Sequence, residues 1–173
     1  ESPLQNYKAR QTALLGMLFA LSMALSFLES MLTPFFGLMP AMKLGLSNIV
    51  VMYALLFLRT RTAVLLVVLK ALFAFLTRGA TAGFLSLCGG ALSLAVMLVL
   101  LHLPVSSYIF CACSALAHNL GQLAGAAVIL SSRMALAYAP ILLAAGLLVG
   151  GISCTLAKAL FAALPGTAGE QCP

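Results

Sequence analysis

Lys43, Ser47 and Asn48 are the polar residues of the most unusual stretch of this sequence, Lys43-Leu-Gly-Leu-Ser-Asn48. The stretch follows a proline-rich aromatic segment and stands at the start of a long apolar run. A cation, a hydroxyl and an amide cost free energy there unless they bind a ligand or satisfy one another. The stretch is therefore the first candidate for a binding site.

The acidic residues limit the chemistry that the chain could perform. The sequence has no aspartate, and Glu1 and Glu170 lie near its ends, so Glu29 is the only acid in its core. Catalysis by paired carboxylates is excluded within the chain, as is a carboxylate-held magnesium site for diphosphate chemistry. No Gly-x-x-x-x-Gly-Lys-Ser/Thr loop is present, so any ATP hydrolysis must come from a partner. We expect a binding protein, not an enzyme.

The five cysteines do not predict a metal or redox centre. Four of them fall inside apolar runs, where cysteine behaves as a small hydrophobe. Cys111 and Cys113 are two residues apart, which directs their sulfurs to different sides of a helix, and no second pair accompanies them. His102 and His118 fall on different helices and at different expected depths in the membrane, which argues against haem ligation. We expect no metal site.

The composition indicates an all-α integral membrane protein. The chain is 64% hydrophobic and only 7% charged, with a mean hydropathy of +1.17. Such a chain has too little polar surface to cover itself in water. Its net charge of +6 comes from scattered basic residues, so it indicates membrane topology and the lipid bilayer as partner, with no nucleic acid.

Apolar runs predict about six membrane helices in one domain, if a span takes roughly 20 residues and shorter spans are tilted or buried. The predicted helices cover about 12–31, 45–58, 62–77, 83–101, 105–130 and 137–163. A cytoplasmic N-terminal segment at 1–11 precedes the membrane domain at 12–165, and a disordered tail follows at 166–173. The distribution of Lys and Arg favours a cytoplasmic N-terminus.

This topology gathers the costly polar side chains in the outer half of the bundle, with two of them near its middle. A cavity open to the outside would explain why they lie together. Its cations would suit a phosphate, a carboxylate or the carbonyl edges of a ring system. The candidate ligand-binding residues are Glu29, Lys43, Asn48, Arg78, Thr81, His118, Asn119 and Gln122.

Each candidate has a structural alternative. Glu29 could pair with Lys43 or Arg78 instead of contacting a ligand. Ser47 or Asn48 could cap the second helix. The polar side chains of the fifth helix could serve as hydrogen-bond links between helices. Lys70, inside a predicted span, could extend its ammonium group toward the membrane surface.

Small residues recur every four positions on three of the helices, and such spacing lets helix backbones approach closely. The three sets are Gly16, Ala20 and Ala24; Ala117, Gly121 and Gly125; and Gly146 and Gly150. The sets on the fifth and sixth helices predict internal packing. The set on the first helix could pack internally or dock another membrane subunit.

These features resemble a known family. The stretch Pro40-Ala-Met-Lys43-Leu-Gly-Leu-Ser-Asn48-Ile49, the six short helices and the Ala20-Leu-Ser-Met-Ala24 spacing resemble the Gx transporter family. That family is often labelled heptaprenyl diphosphate synthase component I, and it is similar in size and hydropathy to the S components of energy-coupling-factor vitamin transporters. The resemblance covers about Thr12 to Pro165.

The resemblance implies a six-helix protein of the bacterial inner membrane that captures a small molecule in an outward cavity. It implies docking through Ala20 and Ala24 to a transmembrane coupling subunit that carries two ATPases. Relatives lie near genes for flavin-dependent electron transfer, so a flavin is the leading substrate, ahead of thiamine-like or isoprenoid molecules. The flavin would be a bound substrate, and no cofactor is required.

Two other interpretations remain open. The chain could be an accessory subunit of a prenyl-lipid or quinone pathway enzyme, or a membrane scaffold in a flavin-based redox complex. The synthase label conflicts with the residue inventory, because the aspartate-rich motifs that hold magnesium and diphosphate in prenyl diphosphate synthases have no counterpart in a chain without aspartate.

Overall fold

The computed structural model of the 173-residue chain describes residues 3–36, 45–130 and 132–163. All regular structure in these ranges is helical, which confirms the predicted all-α class. The predicted tail at 166–173 lies outside the described residues. The six helices are α1 (Pro3–Leu32), α2 (Asn48–Phe57), α3 (Thr60–Arg78), α4 (Ala80–Leu100), α5 (Ser107–Leu130) and α6 (Ser132–Ala163), and a short 3-10 turn at Thr33–Phe36 follows α1.

Five of the six helices are long and apolar enough to cross a membrane. A helix needs about 20 apolar residues to span a hydrocarbon core of about 30 Å, and these segments come close to or exceed that length. The chain is therefore a multi-pass membrane protein, as its composition predicts. The spanning segments are Ala9–Leu32, Thr60–Arg78, Ala80–Leu100, Ser107–Ile129 and Ala139–Leu156.

Helix α2 does not span the membrane, contrary to the prediction of a span at 45–58. It has 10 residues, which extend about 15 Å, half the thickness of the hydrocarbon core. A turn at 45–47 precedes it, and the chain leaves helical geometry again at Leu58. Every residue from Asn48 to Leu55 is buried. Helix α2 is therefore an interior helix that the five longer helices surround.

Small residues bring α4, α5 and α6 into close contact, as the sequence predicts. A Cβ atom placed on Gly121 of α5 would lie 2.5 Å from the backbone oxygen of Cys88 on α4. A Cβ atom placed on Gly150 of α6 would lie 2.9 Å from Cα of Ala112 on α5. Both distances are shorter than any normal contact, so the two helix pairs pack backbone against backbone.

The small residues of α1 face outward instead. A Cβ atom added at Gly16 would meet no atom within 4 Å, and Ala20 and Ala24 are exposed. Large apolar side chains share this surface, among them Met17 and Phe27, which are 68% and 67% exposed. This surface of α1 is therefore available to lipid or to another membrane helix.

Candidate ligand-binding site

Glu29 binds the turn that leads into α2. The Glu29 side chain is fully buried, and its carboxylate accepts hydrogen bonds from the backbone N–H groups of Gly45 and Leu46. The bond from Leu46 is 2.7 Å long. Two donors to one carboxylate oxygen are strong because the acceptor is charged. Glu29 thus fixes the start of α2 against α1.

Gly45 is the residue that makes this turn possible. Its φ of +99° is in the left-handed region, which glycine adopts without a steric penalty. A Cβ atom at this position would lie 3.1 Å from Cδ2 of His118 and 3.8 Å from Oδ1 of Asn119. The turn therefore packs its bare backbone against two of the predicted ligand-binding residues on α5.

Asn48 links α2 to the two helices behind it. Its Nδ2 donates to Oγ of Ser93 on α4 at 2.6 Å and to Oγ of Ser114 on α5 at 2.9 Å. The Ser93 hydroxyl in turn donates to the backbone oxygen of Ser114 at 3.0 Å. Neither Ser47 nor Asn48 caps α2 with its side chain. Ser47 occupies the N-cap position without a side-chain hydrogen bond, and the Asn48 amide binds Ser93 instead.

The structure corrects the predicted depth of Asn48. The sequence places it in the same half of the bundle as Arg78 and Thr81, at the outer start of its helix. In the structure Asn48 contacts Ser93, which lies about 18 Å along α4 from Thr81. The reason is that α2 begins inside the bundle, beside the interiors of α4 and α5. Thr81 is exposed at the start of α4 and does not join the cluster around Asn48.

The polar residues of α5 form a buried row beside the turn. His118, Asn119 and Gln122 are each at most 2% exposed. The His118 Nε2 atom and the Gln122 Nε2 atom are 3.1 Å apart, so these two side chains also contact each other within α5. Asn119 faces α6, because a Cβ atom on Gly146 would lie 2.8 Å from its Nδ2.

Lys70 lies inside the bundle, so the expectation that it extends outward is wrong. It is 6% exposed, and its Nζ is buried and makes no hydrogen bond within the described part of the chain. Lys70 shares the inward face of α3 with Val67 and Ala74, and this position directs its side chain to the core. The field of the Glu29 carboxylate acts on Lys70 and on the half-buried Arg78, so three charges share this region.

The described residues enclose little free space beside Asn48. A cavity of about 10 Å³ lies between α2 and α5, and it is lined by Gly45, Asn48, Ile49, Met52, Cys111, Ser114 and Ala115. This volume is close to that of one water-sized sphere. The Oδ1 atom of Asn48 is buried and accepts no hydrogen bond from the described residues. Lys43, the remaining candidate, lies outside the described residues.

Sequence reasoning missed the serines of the cluster. Ser93 and Ser114 stand alone in apolar runs, and serine there is too common to single out. Ser22, with Ser26 and Glu29, could have been found, because positions four and seven residues apart share one helix face. All three side chains are buried on the inward face of α1.

One known protein family matches the part of the chain that contains these residues. The family model described as heptaprenyl diphosphate synthase component I matches residues 18–160, which is most of the 173-residue chain. The match includes Glu29, Asn48 and the polar row of α5. No curated protein and no solved structure shows significant similarity to the chain. The chain therefore belongs to the family described as heptaprenyl diphosphate synthase component I.

Proposed function

We propose that this chain is a non-enzymatic membrane subunit that binds a small molecule beneath the connection between α1 and α2, with a flavin as the leading ligand. The observation that supports this most directly is the gathering of buried polar side chains from five helices around one turn. They are Glu29 of α1, Asn48 of α2, Lys70 of α3, Ser93 of α4, and Ser114, His118, Asn119 and Gln122 of α5.

The charges in this region favour a ligand with anionic or carbonyl groups. Lys70 and Arg78 each have a buried nitrogen that makes no hydrogen bond within the described part of the chain. A buried cation is costly inside a membrane unless it serves a pathway or a ligand. Phosphate groups and the carbonyl edge of a flavin ring are suitable acceptors for both side chains.

Ligand binding requires the turn at Gly45 to move. A drug-sized ligand occupies a cavity of about 300–1,000 Å³, and the cavity beside Asn48 has about 10 Å³. The hydrogen bonds from Gly45 and Leu46 to Glu29 hold the turn over the polar side chains. In this proposal their rupture opens the site, and the polar groups beneath then contact the ligand.

The outward face of α1 supports a second part of the proposal. Gly16, Ala20 and Ala24 form an exposed strip, which another transmembrane helix could approach closely. We assign this strip to docking of a transmembrane coupling subunit that carries ATPases. Ala20→Leu and Ala24→Leu should then abolish co-purification of that subunit while ligand binding remains.

Mass spectrometry of the small molecules released from the denatured, purified protein tests the ligand. We expect a flavin in about one equivalent, and a flavin absorbance spectrum before denaturation. Lys43→Ala and Asn48→Ala should lower flavin affinity at least tenfold, whereas Thr155→Ala on the exposed face of α6 should not. Protein from riboflavin-replete cells that releases no flavin and binds none in titration would rule out flavin as the ligand.

The family description favours a second candidate function, that of an accessory membrane subunit of a prenyl diphosphate synthase. The chain would then contribute a membrane anchor or a path for the product, because it has no aspartate to hold magnesium and diphosphate. Reconstitution with a catalytic synthase subunit tests this role. A higher rate or longer products in the presence of the chain would support it, and unchanged rate and product length without co-purification would exclude it.

A further inference from the structure

Three buried sulfur-containing side chains, each from a different helix, lie near the end of the bundle where α4 joins α5. Met52 of α2, Cys111 of α5 and Cys154 of α6 are 3%, 5% and 3% exposed. The thiol of Cys111 donates to Sδ of Met52 at 3.8 Å, and Cys154 acts electrostatically on the same thiol. Cys111 thus contacts the Met52 sulfur and lies close enough to Cys154 for the two thiols to interact. None of the cysteines in the described ranges forms a disulfide.

The separation of the Cys111 and Met52 sulfurs is close to that of two ligands of one metal ion. Metal–sulfur bonds of about 2.3 Å place two sulfurs of a trigonal site about 4 Å apart. The separation of 3.8 Å between Cys111 and Met52 is close to this value. Both residues also line the cavity of about 10 Å³, so free space adjoins them.

We propose that Met52, Cys111 and Cys154 form a binding site for a soft monovalent metal ion, and that this ion is Cu(I). Thiolate and thioether ligands select Cu(I) over harder ions. Among the described residues no group of three or more His, Cys, Asp or Glu side chains could hold a metal, so the thioether is what completes this set. The inference does not depend on the proposed flavin site.

Metal binding at this site exchanges protons and moves no electrons. Two S–H bonds break, two Cu–thiolate bonds and one Cu–thioether bond form, and two protons leave to solvent. The site then carries one negative charge. Lys158, which is exposed one helical turn beyond Cys154, acts electrostatically on Cys111 and would offset that charge. Cys111 itself lies one turn from the start of α5, so the ion has a short path from the end of the bundle.

Titration of the purified full-length protein with Cu(I) under reducing conditions, and with redox-inert Ag(I), tests the site. The background protein carries Cys88→Ala, Cys113→Ala and Cys172→Ser, so that only the two cluster thiols remain. We expect one equivalent of metal per chain, a sulfur-to-copper charge-transfer band in the ultraviolet, and release of two protons. Thermal unfolding should shift to higher temperature when the metal is bound.

Variants of the cluster separate a metal site from ordinary packing of sulfur. Met52→Leu conserves side-chain volume, so the protein should still fold and should bind Cu(I) at least tenfold more weakly. Cys111→Ala should abolish the charge-transfer band and the rise in unfolding temperature. Equal binding by the background protein and Met52→Leu, preference for Zn²⁺ over Cu(I), or no binding at micromolar metal would each overturn the proposal.

Discussion

The carboxylate of Glu29 accepts a hydrogen bond from the backbone N–H of Leu46 at 2.7 Å, and so joins α1 to the turn that begins α2. The same oxygen also accepts the N–H of Gly45. A buried acid in a membrane protein is expensive unless its charge is used. Here it satisfies two backbone donors that water cannot reach, which explains why the only acid in the core of the sequence occupies this position.

Replacement of Glu29 should destabilise the protein by an amount that depends on the remaining acceptor. Glu29→Ala leaves two buried N–H groups without an acceptor, at a cost of roughly 2–4 kcal/mol. Glu29→Gln keeps an oxygen and should cost about half as much. Thermal unfolding in detergent, followed by far-ultraviolet circular dichroism because the chain has no tryptophan, measures the difference. Ser30→Ala is the control, and equal stability of all four proteins would contradict this role.

Substitutions at Gly45 and Gly79 can be compared to test how the turn packs against α5. Both have a positive φ, of +99° and +91°, but a Cβ atom would meet His118 at Gly45 and nothing within 4 Å at Gly79. Gly79→Ala should cost about 1 kcal/mol of backbone strain, and Gly45→Ala should cost more because His118 must also move. Equal losses of unfolding temperature would mean that His118 yields freely to the added methyl group.

Gly121 tests the contact between α4 and α5. Gly121→Ala places a methyl group 2.5 Å from the backbone oxygen of Cys88, so the helices must separate, at a cost of roughly 1–3 kcal/mol. Gly16→Ala adds the same atom at an exposed helix position and should stabilise the protein by up to about 1 kcal/mol. Urea or SDS titrations compare the two variants. A neutral Gly121→Ala would show that the contact is looser than described.

Asn48 and Ser93 should be energetically coupled. A double-mutant cycle with Asn48→Ala and Ser93→Ala is expected to give a coupling energy of about 0.5–2 kcal/mol, since each variant removes one end of the same 2.6 Å hydrogen bond. Asn48 with Thr155, which are not in contact, should give additive effects. Additive effects for the first pair as well would indicate that Ser114 alone holds the amide.

Lys70 is expected to lower the stability of the ligand-free protein and to strengthen ligand binding. Lys70→Met removes a buried ammonium group and keeps a similar volume, so the ligand-free protein should become more stable by about 1–3 kcal/mol. The same variant should bind an anionic ligand at least tenfold more weakly. Unfolding temperature with and without ligand measures both effects. A less stable ligand-free variant would show that the ammonium group has a structural partner.

The composition and apolar periodicity alone predict the class of this protein, its six helices and the internal packing of the small residues on α5 and α6. These properties follow from local rules, because segment length, hydropathy and the spacing of glycines act within one helix or between neighbours. The same rules fail for α2. Its run of apolar residues looks like a span, and only the surrounding helices show that it is an interior helix of half the required length.

The sequence by itself determined which polar residues cost free energy when they are buried. The tertiary structure decided which hydrogen-bond partners offset that cost. Glu29, Asn48 and His118 stand out as polar groups in apolar surroundings, whatever the fold. Their partners, the amides of Gly45 and Leu46 and the hydroxyls of Ser93 and Ser114, are distant in sequence and chemically ordinary. A hydrogen bond depends on position to within a fraction of an ångström, and only the packing of the helices supplies that.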